Sequence, residues 1–237
     1  MVSSLIERPE HLRVLSLLSA MDAPFLREAE CWFAGGTAVS LRCGEYRLSY
    51  DVDFLCATRE GYRSLWERLF HEGLRGFFTR DVEVVREARA DRYGIRAVLN
   101  VDGAPLKFEM VSEGRISLEG VEDPALPVAR LSDEDLVAEK LLANSDRFLD
   151  DSALGRDALD LLLLDHELGE LPAHAWEKAR AAYGDSVDRA FERALQRLRD
   201  RPELVRRAIT TLDVRPSAQE IIEARLREVE PTPSERG

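Results

Sequence analysis

The chain has 237 residues, room for one large domain or two small ones, and its 45% hydrophobic, 33% charged composition excludes a disordered chain. No apolar run approaches the ~20 residues of a membrane helix, and the start MVSSLIERPEHLR lacks a basic segment and an apolar core, so neither a membrane span nor a secretory signal is expected. The net charge of −12 argues against broad coating of nucleic acid while leaving room for a local basic groove, and three cysteines at no metal-ligand spacing point to a reducing cytoplasm.

The text changes character near residue 130. Before it, short apolar runs alternate with glycines and turns, which predicts a mixed α/β core over residues 1–129. After it the pattern is almost continuously helical, which predicts an α-helical domain over 130–237 that completes a nucleotide cleft. The boundary falls in 120–129, with Pro124 and Pro127. The fold class expected is α+β, a small mixed sheet with flanking helices followed by helices alone.

In chain order, 11–21 carries a buried helical face and 31–34 is a short apolar strand ending at Gly35 and Gly36. Residues 37–43 read as one or two helical turns, 51–56 as an alternating strand and 62–70 as a helix. Residues 82–85, 95–101 and 106–111 are strand candidates, with Asp102-Gly103 a hairpin turn between the last two. Ser132 with a carboxylate three residues on resembles a helix-start box, opening a helix to about residue 148. Further helices are expected at 156–167, 173–183, 187–199 and 218–229, followed by a polar tail at 230–237. Pro172, Pro202 and Pro216 stand near helix starts.

The chemistry concentrates in Phe33-Ala-Gly-Gly-Thr-Ala-Val-Ser-Leu-Arg42 and Arg47-Leu-Ser-Tyr-Asp51-Val-Asp53-Phe54. Gly35 and Gly36 allow a phosphate close to the backbone. The helix after them offers free amides and a favourable dipole to an anion, and Thr37 can add its hydroxyl. Asp51 and Asp53, two apart on a strand, put both carboxylates on one face, a hard-oxygen pair suited to magnesium. Glu109 completes a two-metal cluster if its strand pairs beside them. Arg47 and Ser49 either hold the loop before that strand or touch phosphate. Lys140 and Arg147, seven apart with Asn144 between, make a polar strip on one helix face. Lys107, Lys140 and Lys178 are lysines in a chain whose other basic residues are all arginine, a mild sign that a compact ammonium is wanted there.

A Gly-Gly-Thr turn, an Asp-x-Asp strand and a later acidic strand resemble the DNA polymerase β-like nucleotidyltransferase superfamily. The longer pattern, from Gly35, Gly36, Thr37, Arg47, Ser49, Asp51 and Asp53 to Lys140, Arg147 and Arg156-Asp157-Ala-Leu-Asp160-Leu, resembles the AbiEii/AbiGii toxin family of nucleotidyltransferases. The likeness covers roughly residues 33–164, with Glu109 where many relatives have Asp. It implies transfer of a nucleoside monophosphate from a nucleoside triphosphate (NTP) to an acceptor, with release of pyrophosphate.

It further implies metal ligation by Asp51, Asp53 and Glu109, with Glu109 helping to activate the acceptor hydroxyl. The glycines and Thr37 would hold the triphosphate tail, Lys140 would offset phosphate charge, and Asp157 would be a late acidic site residue that either positions Lys140 or binds the nucleotide. RNA, transfer RNA above all, is the expected acceptor, and an antitoxin protein the expected partner. DNA is not expected as a partner. The alternatives are an antibiotic-type small-molecule nucleotidyltransferase and a nucleotide-binding regulator without turnover. Asp160 reads as a core or capping contact. The arginines of 189–207 read as a solvated face or as an RNA patch, the first favoured by neighbouring acids. The cysteines and tryptophans read as packing residues, and the histidines, at no zinc-like spacing, carry no assigned chemistry.

Overall fold

A computed structural model describes residues 6–228. Val229 and the polar tail lie outside the described residues. The chain divides into two compact units, one holding the chain as far as Glu45 together with Ser49–Leu136, the other Tyr46–Leu48 together with the chain from Val137.

The first unit is built on a seven-stranded mixed sheet in the order β3-β4-β5-β2-β1-β7-β6. Its strands are β1 (Cys31–Ala34), β2 (Val52–Cys56), β3 (Glu83–Ala90), β4 (Gly94–Val101), β5 (Ala104–Ser112), β6 (Gly120–Val121) and β7 (Arg130–Leu131). Helices α1 (Pro9–Ala20), α2 (Ala23–Glu28), α3 (Gly35–Arg42) and α4 (Arg59–Glu72) accompany it. Asp102 and Gly103 both have positive φ, 52° and 79°, as a tight turn between two right-twisted strands requires.

The alternation of β2 defines two faces. Val52, Phe54 and Cys56 are buried, whereas Asp53 and Leu55 point the other way and are only partly covered. On the buried face the rings of Phe33, Phe54 and Phe108 follow one another across β1, β2 and β5, 5.8 and 6.2 Å apart between centroids. β5 lies parallel to β2 and puts Glu109 in register with Asp53. The pairing that Glu109's role needs is therefore present.

Several elements differ from their expected extents, and α2 has no counterpart among those expected. β3 runs to Ala90 although its pattern suggests a strand only to residue 85, because register shifts near Arg86 break the alternation. β6 and β7 bring the proline-bearing segment onto the sheet, and two residues each leave no periodicity to read. Ser132 does cap the next helix, its Oγ accepting from the Asp135 amide at 3.1 Å. The buried Asp135 carboxylate instead accepts from the Glu119 amide at 2.6 Å.

The second unit is helical. It contains most of α5 (Asp133–Arg147), then α6 (Arg156–Leu168), α7 (Ala173–Tyr183), α8 (Ser186–Asp200), α9 (Pro202–Thr211) and α10 (Pro216–Glu228). α6 packs against α8 and α10, burying Leu159 and Leu161 through Leu164. α9 has no counterpart among the expected helices, although Pro202 at its first position marks its start. Tyr46–Leu48 is tied to this unit through its backbone: the Leu48 amide donates to the Leu212 carbonyl, and the Arg215 amide to the Tyr46 carbonyl, each at 2.7 Å. No helix among the described residues is long and apolar enough to cross a membrane.

Candidate active site

The first cluster sits where β1 turns into α3. Gly35 has φ +75°, and a Cβ placed there would stand 2.3 Å from Oδ2 of Asp53. Only glycine lets the Asp53 carboxylate lie against this turn. Ala34, the residue before α3, gives the helix no side-chain cap, and the first amides of a helix, which lack intrahelical partners, suit an anion. Asp53 faces Ala34 across β1, and Glu109 faces Asp53 across β5.

Three of the residues expected here have other engagements. Thr37 is fully buried, and its hydroxyl donates to the Asp51 carbonyl at 2.6 Å. Ser49 Oγ stands 3.1 Å from the same hydroxyl. Together they pin the entry to β2 and so the height of Asp51. Glu109 holds Arg96, its Oε1 2.5 Å from the guanidinium Nε. Lys107, two residues before Glu109, stands 3.9 Å from Asp51 Oδ2. Among the described residues no three carboxylate, histidine or cysteine side chains already converge as a metal cage.

The donor set nevertheless suits a hard divalent cation at Asp51 and Asp53. Both carboxylates are partly exposed, Asp53 on the open face of β2 and Asp51 just before that strand begins rather than on it as expected, and the cradle at Gly35 leaves room for Asp53. Glu109, whose Oε1 holds Arg96, faces Asp53 from β5.

The second cluster lies wholly in the helical unit. Arg47 is buried and makes a two-pronged ion pair with Asp160, Nε to Oδ1 at 2.8 Å and Nη2 to Oδ2 at 3.0 Å. The Tyr46 hydroxyl also bonds to Asp160 Oδ1. Lys140 Nζ reaches Asp160 at 2.6 Å and Asp157 at 3.2 Å. Arg147 closes the chain with two bonds to Asp157, at 2.6 and 2.8 Å. Arg47, Asp160, Lys140, Asp157 and Arg147 thus alternate in sign and leave one net positive charge.

Burial alone would raise the Asp157 carboxyl, but Lys140 and Arg147 overcome this and hold it well below the usual carboxylate range. Asp160, also fully buried, is held low by Arg47 and Lys140. Arg47, whose burial would lower it, is raised by Asp160 and stays charged.

Arg47 therefore holds the loop, and it does so through Asp160. Asp160 makes the core contact expected of it, as the hub of the charge network rather than as a cap. One sequence signal could have found this: Asp157 and Asp160, three apart, share a helix face. Asn144 is buried with its Nδ2 atom unpartnered. Among the arginines of 189–207, Arg197 and Arg201 both engage Asp151, in keeping with a solvated, paired surface. Cys31, Cys43 and Cys56 are buried free thiols. Trp66 departs from its expected core role, lying 40% exposed on α4.

The chain belongs to the AbiEii family of nucleotidyl transferase toxins of type IV toxin–antitoxin systems, whose model matches residues 16–234. No curated protein matches it. Among solved structures it is similar to an antigenic nucleotidyltransferase-like protein from Paracoccidioides brasiliensis, at 14% identity over 85% of this chain and 94% of that one, with a TM-score of 0.40. It is also similar to JHP933 from Helicobacter pylori, at 14% identity over 84% and 99% of the two chains, with a TM-score of 0.35. The protein is a nucleotidyltransferase by family.

Proposed function

We propose that the protein transfers a nucleoside monophosphate from an NTP to an RNA acceptor in the presence of magnesium, and that this reaction makes it the toxin of a toxin–antitoxin or phage-defence pair in the cytoplasm. The observation that carries the reading is the placement of Asp53 against the Gly35 turn, beside the uncapped start of α3. A carboxylate next to a helix N-terminus suits a metal-bound triphosphate, in which cation and anion must sit side by side.

In this reading Asp51 and Asp53 hold the magnesium, which when bound supplies charge neutralisation at the phosphates. Gly35, Gly36 and the first amides of α3 bind and orient the triphosphate tail. Thr37 and Ser49 serve the site by fixing the backbone at Asp51, with no phosphate contact of their own. The acceptor hydroxyl attacks the α-phosphorus and pyrophosphate leaves. Glu109 takes the hydroxyl proton, with Arg96 orienting it through Oε1. Within the helical unit, Asp157 and Asp160 fix the Lys140 ammonium in place, and the surplus positive charge of that cluster favours phosphate oxygens. Arg147, partly exposed, adds a second cation. The family description carries the antitoxin partner with it.

The toxin role is tested by expression in cells. Growth should stop with the intact protein and continue with Asp53→Ala at equal protein level. Arrest by Asp53→Ala would contradict the reading, because the arrest would then not need the carboxylate. Drug resistance without arrest would favour the small-molecule transferase.

A further inference from the structure

Following the strand register outward from the proposed carboxylates gives one continuous line of side chains. Asp53 on β2 faces Glu109 on β5, Glu109 faces Arg96 on β4, and Arg96 faces Arg89 on the edge strand β3. On the neighbouring rungs of the same face, Lys107 and Arg86 both stand opposite Val98. Arg86, Arg89, Arg96 and Lys107 are all exposed. The line therefore runs from an acidic centre to a cationic margin.

Two features set this face apart from an ordinary solvated one. Arg89 stands directly opposite Arg96; Glu109 and Asp91 offset the charge of Arg96, whereas an anion lying over Arg89 would offset the other. Arg86 and Arg89 also have no carboxylate partner among the described residues, whereas Arg96 is held by Glu109 and by Asp91 and Lys107 lies near Asp51. Glu83, at the far end of β3, is itself occupied by the Asn100 amide at 2.6 Å.

We infer that the β2–β5–β4–β3 face is the docking track for the acceptor RNA strand, with Arg86 and Arg89 binding backbone phosphates upstream of the reacting end. This rests on the assignment of Asp51 and Asp53 as the catalytic carboxylates. Strands lie about 4.8 Å apart, so Arg89 is roughly 14 Å from Asp53, farther than the linked phosphates of one nucleotide reach. Cations at that distance suit a strand whose end lies at the carboxylates. An exposed stripe with cations on successive strands follows a phosphodiester backbone without reading its bases. Net charge −12 restricts such binding to this local stripe. The competing explanation is that the arginines only keep edge strand β3 from pairing with another chain, a task any charge performs.

The test uses the full chain carrying Asp51→Ala, so that no turnover occurs, and total cellular transfer RNA as the probe. Arg86→Glu/Arg89→Glu is compared with Arg206→Glu/Arg207→Glu, an equal charge change at exposed positions of α9. The β3 pair should lower RNA affinity at least about tenfold and reduce the salt slope by about 1.4, the value for two lost single-strand contacts. The α9 pair should stay within about twofold of its parent. NTP affinity, titrated separately, should be unchanged in the β3 variant.

Equal loss of RNA affinity in both variants, no loss in the β3 variant, or no RNA binding by the parent would each overturn the track. Loss of NTP affinity with RNA binding intact would overturn it too, reassigning the arginines to the triphosphate. Arg86→Gln/Arg89→Gln, milder for folding, must show the same direction. Failure of the underlying reading is distinguishable, since it appears as transfer activity surviving Asp51→Ala whatever the arginines do.

Discussion

Gly35 and Asp53 occupy one space: a Cβ on the first would stand 2.3 Å from a carboxylate oxygen of the second. Gly35→Ala should therefore displace Asp53. The left-handed backbone at φ +75° adds about 1–2 kcal/mol of strain for any side chain. Transfer activity should fall at least about a hundredfold while the protein stays folded with a modestly lower Tm. Full activity in Gly35→Ala would mean that Asp53 need not sit where the structure has it.

Thr37 separates two roles by which substitution restores function. Its buried hydroxyl bonds to the Asp51 carbonyl. Thr37→Val should cost about 1 kcal/mol of stability and lower kcat by shifting Asp51, with Thr37→Ser restoring both. A rise in the KM for NTP with kcat and stability unchanged would instead return the hydroxyl to the phosphates.

Asp160 is the buried hub of the helical unit. Asp160→Asn leaves Arg47 and Lys140 facing a neutral amide, and breaking a buried pair in this way costs about 3–5 kcal/mol. Denaturant unfolding should show that loss. Arg47→Met combined with Asp160→Asn should cost clearly less than the sum of the two single changes, because the pair is coupled. Strict additivity would deny the coupling.

Acid sensitivity should begin at His11. Burial lowers its pKa below 6.5, despite the Glu45 carboxylate 2.8 Å from Nδ1, and nearby Arg8 adds to the lowering. Glu45, which burial alone would raise, is held low by the Glu7 and Arg8 amides and by His11, and stays ionised in this window. The folded ring thus stays neutral where the unfolded ring takes a proton, so stability falls as pH drops below 6.5. Unfolding free energy should decrease between about pH 7.5 and about pH 5.5, and His11→Gln should flatten that slope. An unchanged slope in His11→Gln would place the sensitivity elsewhere.

What the sequence revealed and what it hid follow from how local each feature is. The Gly-Gly-Thr turn and the Asp102-Gly103 hairpin are short-range, and each appears where its pattern points; the alternation through Asp53 does too, although the strand starts at Val52 and leaves Asp51 just before it. Whether Arg47 met phosphate or protein was not legible. The answer depends on Asp160, 113 positions away, and on burial that no window of sequence carries. The engagement of Glu109 with Arg96 was hidden for the same reason, since it arises from the β4–β5 register. Short β6 and β7 have too few residues for any period to show. Edge strand β3 lost its alternation at its own irregularities.

Whether Asp51 and Asp53 support nucleotidyl transfer to RNA is decided with labelled nucleotide. Purified protein, magnesium and each NTP labelled on the α-phosphate would be incubated with total cellular RNA and, separately, with a protein extract, alongside Asp51→Ala and Asp53→Ala. Label should enter an RNA band with the intact protein, and with neither variant. Label reaching RNA through either variant, or label appearing only in protein, would contradict it.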